Sequence, residues 1–269
     1  MCRQFPSFTQ PRPPDVYWLP QIESDIPAGS TWLSAGEIER LDSIRFPKRR
    51  ADWRLGRWTS KCAVAAYLHD SYDLSHLSNI EVRAGVSGAP EIFQNNRRSA
   101  LNISLSHRDG FSICALAPVN MLLGCDVETI EPRSEAFVSD YFADEERELL
   151  ARIPQNERPE IVAALWSAKE SALKAMQIGL RADTRFVVVH DLDLDGNRDS
   201  AKSVWRPMQV SWQGQTHFYG WWRIAGKFVL TVVGYPWPSR PVELTAPRKP
   251  VQPIDFKDQG NQGQCGGNR

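Results

Sequence analysis

The sequence is poor in cysteine and has no excess of charge of either sign. Its 269 residues include five cysteines, at positions 2, 62, 114, 125 and 265, and no two of them form a CxxC motif. An odd count without metal-type spacing argues against a disulfide scaffold or a zinc ribbon. Lysine plus arginine and aspartate plus glutamate both total 32. The overall charge therefore indicates neither a nucleic-acid partner nor a membrane-surface partner.

Long apolar runs and glycine-rich phosphate loops are also missing. No stretch reaches the roughly 18–20 apolar residues of a transmembrane helix, and the opening MCRQFPSFTQPRPPD lacks the apolar centre of a signal peptide. Neither GxGxxG nor GxxxxGK followed by Ser or Thr occurs, so dinucleotide and P-loop sites are not predicted. We expect a cytoplasmic protein without a nucleic-acid or membrane partner, and we expect a monomer.

Helix and strand patterns predict an α+β protein of two similar halves. Residues 1–118 contain a probable strand, helical segments and then short strands separated by turn residues. Residues 119–236 repeat this outline with a strand, helices and four further strands. Residues 237–269 are rich in Pro, Gly and Gln and poor in apolar residues, which predicts a disordered tail.

Two carboxylates lie close together in the segment LLGCDVETIEP, residues 122–132. Side chains of a strand alternate between its faces, so the apolar residues point one way while Asp126 and Glu128 point the other. Neighbouring carboxylates repel each other and are costly to bury unless a cation lies between them. The segment therefore predicts a cation site.

A second polar cluster lies on the predicted helix RPEIVAALWSAKESALKAMQ, residues 158–177. Trp166, Glu170 and Lys174 recur every four residues and share one face, apart from an apolar stripe. An ordinary surface ion pair would explain Glu170 and Lys174 alone. Together with the two strand carboxylates and the adjacent Lys169, however, they suit Mg²⁺ and a polyphosphate, because Mg²⁺ prefers oxygen ligands and leaves positions for phosphate.

Five short motifs follow one another along the chain: RFPKRRADWRLGR (45–57), SGAPEI (87–92), NISLSH (102–107), GCDVE (124–128) and WSAKESALK (166–174). In this order they resemble the signature segments of the Sfp-type 4′-phosphopantetheinyl transferase family. One position departs from the family pattern, because Ala89 stands where the family has the lysine of a Gly-Lys-Pro turn. Another basic residue would have to supply that phosphate contact.

The resemblance implies a Mg²⁺-dependent enzyme. It would transfer the 4′-phosphopantetheine group of coenzyme A to a serine of an apo acyl or peptidyl carrier protein and release adenosine 3′,5′-bisphosphate. It also implies two pseudo-symmetric halves with the active site in the cleft between them. Asp126, Glu128 and Glu170 would bind Mg²⁺ together with the pyrophosphate. Glu170 and Lys174 would be catalytic, with Glu170 as base for the carrier serine, directly or through a bound water.

The resemblance further implies contacts to coenzyme A. Lys174 would contact the phosphates, with Lys169 as a second candidate, and Ser106 and His107 would hold phosphates of coenzyme A. Arg54 would bind the ribose phosphate, although it lies in a basic run that a solvent-exposed helix face explains equally well. Glu128 is the metal ligand that the resemblance supports least.

Two other functions remain open. A different Mg²⁺-dependent phosphoryl or nucleotidyl hydrolase would use the same carboxylates without any carrier protein, and a non-catalytic scaffold would bind carriers without modifying them. The sequence leaves the choice among fatty-acid, polyketide and nonribosomal-peptide carriers open as well. Tyr141 and Phe142, just before a predicted helix start at Asp144, either pack against that helix or contact the carrier.

Overall fold

Two long helices and two sheets, whose strands are antiparallel except for one short parallel pair, form the framework of the protein. The computed structural model describes residues 15–68, 74–194 and 204–245. The helices are α1 (Ala35–Asp42), α2 (Pro47–Leu68), α3 (Leu74–Leu77), α4 (Glu135–Tyr141), α5 (Asp144–Arg152) and α6 (Arg158–Ala175). The strands are β1 (Tyr17–Ile22), β2 (Ile80–Ala84), β3 (Pro90–Gln94), β4 (Arg97–Arg98), β5 (Leu101–Arg108), β6 (Phe111–Pro118), β7 (Leu122–Thr129), β8 (Val187–Leu192), β9 (Arg206–Trp212), β10 (Thr216–Ala225), β11 (Phe228–Tyr235) and β12 (Val242–Glu243).

Each half of the chain packs one long helix on one sheet. The first sheet has the order β12-β1-β6-β5 and carries α2, while the second has the order β7-β11-β10-β9-β8 and carries α6. A small sheet of β2, β3 and β4 lies beside the first. Short 3-10 turns occur at Glu23–Asp25, Gly179–Arg181 and Thr184–Phe186. The predicted α+β class is confirmed.

The alternation of apolar residues along the strands produces a layered core. One cluster of buried side chains lies between α2 and the first sheet, and another lies between α6 and the second sheet. A third joins the two sheets face to face and includes Trp18, Ile113, Leu123, Cys125 and Leu230. The layers therefore run helix, sheet, sheet, helix, and the strands at the junction of the sheets are covered on both faces.

Strand β6 ends at Pro118 and β7 begins at Leu122, so residue 118, the predicted boundary between the halves, lies at a turn. The division into two halves itself stays a prediction. Met121 N–H donates to the Pro118 carbonyl there at 3.0 Å. Among the described residues, no helix combines the length and the apolar character needed to cross a membrane.

The predicted disordered tail begins later than residue 237. Trp237 stacks on Tyr219 with ring centroids 4.5 Å apart. Strand β12 pairs in parallel with β1: Val242 N–H donates to the Val16 carbonyl at 2.9 Å, and Leu244 N–H donates to the Trp18 carbonyl at 2.8 Å. The edge of β1 satisfies these backbone amides, so residues 237–245 belong to the fold. The rest of the predicted tail, residues 246–269, lies outside the described residues.

Removing β12 should destabilise the first sheet. Relative to a chain that ends at Thr245, a chain that ends at Pro238 loses two interstrand hydrogen bonds, each contributing about 1 kcal/mol. We expect a Tm roughly 4–8 °C lower by calorimetry, from the usual relation between stability and Tm for a chain of this size. Equal melting temperatures for the two chains would contradict the structural role assigned to β12.

Candidate active site

Strand β7 and helix α6 approach each other closely, and this approach builds the site. Leu123, Cys125 and Val127 face the core between the sheets, as predicted, while Asp126 and Glu128 alternate with them. Gly124 permits the close contact, because an added Cβ would lie 1.8 Å from the carbonyl oxygen of Ser171 on α6. The polar face of α6 is thereby brought against the carboxylates of β7.

Strands β5 and β7 and helix α6 form the walls of a solvent-accessible cleft of about 350 Å³. It is lined by Leu105, Ser106, His107, Arg108, Asp126, Val127, Glu128, Glu170 and Lys174. The structure thus brings together most of the site residues predicted from the sequence. The cleft lies between β5 on one side and β7 and α6 on the other.

Asp126 is the most constrained carboxylate of the cleft and is only 2% exposed. Its Oδ1 accepts hydrogen bonds from Ser106 Oγ and from Lys174 Nζ, both at 2.7 Å. Its Oδ2 is buried and has no hydrogen-bond partner in the described part of the chain. A buried oxygen without a partner costs about 1–3 kcal/mol, and a bound cation would remove that cost.

Lys174 is held in its charged form. Its Nζ donates to the Cys125 carbonyl at 3.1 Å as well as to Asp126. Burial by itself lowers the pKa of an ammonium, but the charges of Asp126 and Glu170, with the hydrogen bond to Asp126, raise the pKa of Lys174 above its ordinary value. The cleft therefore contains a permanent positive charge beside its carboxylates.

Two arginines accompany Glu128, which is 6% exposed. Arg133 Nη2 lies 3.4 Å and Arg108 Nη1 lies 3.8 Å from Glu128 Oε2. Burial raises the pKa of Glu128, the charge of Asp126 adds to this, and the two arginines oppose it. Sequence reasoning missed both arginines, although Arg108 directly follows the NISLSH segment and Arg133 follows Glu128 by five residues.

Glu170 and His107 complete the titratable groups of the cleft. Burial, followed by the charge of Asp126, raises the pKa of Glu170 to about 7, while the charge of Lys174 opposes the rise. Desolvation by the surrounding protein lowers the pKa of the His107 imidazole, although the residue as a whole is solvent-exposed. A glutamate with a pKa near neutrality suits a general base.

The chemistry of these donors fits a hard divalent cation. Three carboxylates line one cleft, and one Asp126 oxygen has no partner among the described residues. Burial and then the charge of Asp126 raise the pKa of Glu170, and a bound cation would oppose both effects. As the side chains stand, no three Asp, Glu, His or Cys residues within the described ranges are grouped closely enough to hold a metal ion. The ammonium of Lys174 lies on Asp126 instead.

Lys169 lies outside the cleft, contrary to its expected contact with a phosphate. Its side chain is 0% exposed, and its Nζ lies 2.6 Å from Glu146 Oε2. It also donates to the carbonyl of Thr184 at 3.0 Å and to that of Val187. All of its polar contacts are made inside the protein, so Lys169 is a structural residue and not a phosphate ligand.

Arg54 is not among the cleft residues either. Its guanidinium donates to the carbonyls of Gly29 at 2.8 Å and Pro27 at 3.3 Å and to Ser30 Oγ at 3.2 Å. It also lies over the ring of Trp32. These contacts give Arg54 a role in anchoring the loop before α1, which the sequence pattern alone did not indicate.

Of the two aromatic residues before α5, one belongs to the core. Phe142 is 1% exposed and packs edge to face on Phe137 of α4, within the core cluster of the second sheet. Tyr141 is 41% exposed and contacts Trp166. Only Tyr141 of this pair is available to a partner protein.

Known proteins are similar to the part of the chain that contains the cleft carboxylates. Residues 122–233 match the family model described as the 4′-phosphopantetheinyl transferase superfamily. The chain is 27% identical over 164 residues to "4′-phosphopantetheinyl transferase HetI" of Nostoc sp. (strain PCC 7120), covering 60% of this chain and 67% of the relative. It is 23% identical over 177 residues to "Putative 4′-phosphopantetheinyl transferase slr0495" of Synechocystis sp. (strain PCC 6803), covering 65% and 69%.

Among solved structures, the Thermotoga maritima holo-acyl-carrier-protein synthase (AcpS) is similar at 19% identity and a TM-score of 0.29. The similarity covers 42% of this chain and 62% of that one, so the chain spans less than two thirds of the AcpS structure.

The structural role of Lys169 can be tested by unfolding. Lys169→Met should lower the free energy of unfolding by about 3–5 kcal/mol, because it leaves the buried Glu146 carboxylate without its partner. The double variant Lys169→Met, Glu146→Met should recover part of that loss, since no buried charge remains, while the backbone N–H groups of Val189 and Ala143 lose their acceptor. Urea titration measures both values, and a Lys169→Met variant as stable as the parent would contradict the assignment.

Proposed function

We propose that this chain, which belongs to the 4′-phosphopantetheinyl transferase superfamily, transfers the 4′-phosphopantetheine group of coenzyme A to a serine of an apo carrier protein. The observation that carries the proposal is the cleft in which β7 and α6 hold three carboxylates beside Lys174. All four side chains lie within residues 122–233, the range that matches the superfamily. Acyl and peptidyl carriers both offer such a serine.

The transfer exchanges one phosphorus–oxygen bond for another. The serine oxygen forms a bond to the phosphorus that carries the pantetheine arm, and the bond from this phosphorus to the bridging oxygen breaks. Adenosine 3′,5′-bisphosphate leaves with the electron pair of that bond. The serine proton passes to a base, so the reaction mainly requires alignment and stabilisation of negative charge.

Residues of this chain supply both requirements. Glu170, with a pKa of about 7, is the base that accepts the serine proton, directly or through a bound water. Lys174 is charged and lies at the same cleft, so it stabilises the negative charge that develops on the leaving phosphate. Ser106 positions Asp126 through its hydrogen bond, and His107 lies at the cleft where it can donate to a phosphate.

Mg²⁺, held by Asp126, Glu128 and Glu170, would neutralise the charge of the pyrophosphate when bound. Oδ2 of Asp126, which is buried and has no hydrogen-bond partner within the described ranges, supports this assignment. The arginines beside Glu128 partly satisfy that carboxylate already, which makes it the ligand whose loss should matter least.

Mass spectrometry of carriers tests the reaction. The protein is incubated with coenzyme A, MgCl₂ and a panel of apo carriers of fatty-acid, polyketide and nonribosomal-peptide type. At least one carrier should gain the mass of one phosphopantetheine, and EDTA should abolish the gain. No gain on any carrier would overturn the proposal, and release of adenosine bisphosphate without a carrier would identify a hydrolase.

Variants of the carboxylates should separate catalysis from folding. Asp126→Asn and Glu170→Gln should each lower the rate of transfer by about 100-fold or more, because each removes charge that binds the cation or accepts the proton. Glu128→Gln should be milder. The control is Glu135→Gln, since Glu135 is a highly exposed residue of α4 paired with Arg158. Near-normal turnover of Asp126→Asn, with an unchanged Tm, would exclude the proposed site.

The cation affinity should depend on pH. Because the pKa of Glu170 is raised to about 7, its carboxyl group is protonated at lower pH and a proton must leave before a cation binds. Calorimetry should show Mg²⁺ affinity rising between about pH 6 and 8. Glu170→Gln should flatten this rise, whereas Glu135→Gln should preserve it. A pH-independent affinity of the parent protein would rule out Glu170 as a ligand.

A further inference from the structure

A second crevice, of about 310 Å³, adjoins the carboxylate cleft. Leu105 and Lys174 line both spaces, so the crevice and the cleft are neighbours. Its remaining walls are formed by the turn Ser87–Pro90 of the first half, β5, Leu123 and the residues that follow α6. The crevice thus lies between the halves, like the cleft.

The charge of the crevice has one sign. Its described lining residues include no aspartate or glutamate, and the two ionisable side chains among them are Lys174 and Arg181. The turn Ser87–Pro90 contributes no charge of its own. Lys174 is already bonded to Asp126, so Arg181 supplies the positive charge at the outer wall.

The backbone after α6 brings Arg181 to that wall. Gln177 and Gly179 adopt positive φ values of 58° and 57°, which turn the chain back at the end of the helix. Arg181 Nη2 then donates to the Ser87 carbonyl at 3.2 Å, and Ser87 Oγ donates to Gln177 Oε1 at 2.9 Å. These two hydrogen bonds attach the segment after α6 to Ser87, which precedes Ala89 by two residues in the sequence. The guanidinium of Arg181 is therefore held at the same turn as Ala89.

Most of the donor capacity of Arg181 remains available. Its guanidinium has five N–H donors, of which the contact to Ser87 uses one. Within residues 15–68, 74–194 and 204–245, Arg181 forms no ion pair with a carboxylate. Arg185, four residues further on, is by contrast bound to Asp183 through Nε and Nη2 at distances of 2.6–3.1 Å. Arg181 is thus the arginine of this segment that can meet an anion.

We propose that Arg181 binds a phosphate of coenzyme A at the rim of the crevice, an inference that rests on the proposed function. It supplies, from the second half of the chain, the positive charge that Ala89 cannot supply from the first. The two positions line the same wall, so a cation on either one reaches the same part of the ligand. Arginine suits this task because its planar donors bind phosphate oxygens in pairs.

The substitution Arg181→Gln removes the charge and keeps an amide that can still donate to Ser87. We expect the KM for coenzyme A to rise about tenfold, with kcat and the KM for the carrier nearly unchanged, because one charge-assisted contact is lost. Arg185→Gln is the matched control and should leave the KM for coenzyme A unchanged. Ala89→Lys introduced into the Arg181→Gln variant should restore most of the affinity.

Calorimetric titration with coenzyme A, without carrier, separates this inference from the function itself. If the parent protein modifies carriers but Arg181→Gln binds coenzyme A as tightly as the parent, the assignment of Arg181 fails and the function stands. If Arg181→Gln lowers both the affinity for coenzyme A and the Tm, and Ala89→Lys does not restore the affinity, Arg181 acts only by stabilising the fold through its bond to Ser87. That result would also overturn the assignment. If the parent protein modifies no carrier, the proposed function fails, and the affinities for coenzyme A still decide the role of Arg181.

Discussion

A buried lysine–glutamate pair joins the long helix of each half to a shorter helix and to a neighbouring strand. Lys61 Nζ of α2 lies 2.5 Å from Glu37, and Lys169 Nζ of α6 lies 2.6 Å from Glu146. Each lysine also donates to two backbone carbonyls, and each glutamate accepts a strand amide, from Val82 or Val189 at 3.0 Å. Because both charges of a pair are desolvated, loss of one partner costs several kcal/mol, and the helix is held in one orientation.

The orientation of α6 decides which of its polar residues can work in a site. Lys169 points into the protein toward Glu146, so Glu170 and Lys174 are directed toward β7. Gly124 then allows the helix backbone to touch the strand, which brings the carboxylates within reach of one another. The buried charge of Lys169 and the cleft charge of Glu170 thus lie on adjacent residues of one helix, and the contacts of Lys169 position Glu170.

The cleft brings three carboxylates close together, and neighbouring cations reduce their mutual repulsion. Asp126 is paired with Lys174 and Ser106, while the arginines beside Glu128 reduce its repulsion. Glu170 retains a pKa of about 7 because burial and Asp126 disfavour its charged form. Such a site is ready for a cation and a polyanion together, since each compensates the charge that the other brings.

What the sequence by itself determined is the set of features with a local period. The alternation in β7 placed Asp126 and Glu128 on one face, and the four-residue spacing in α6 aligned Glu170 with Lys174, because backbone geometry alone sets these directions. The α+β class followed from the same patterns. Tertiary structure decided which features depend on distant contacts: the burial of Lys169, the loop contacts of Arg54, the pairing of β12 with β1, and the placing of Arg181 beside the Ser87–Pro90 turn. Each of these joins segments that are more than twenty residues apart or depends on a partner that no local period identifies, so only the packed chain could select it.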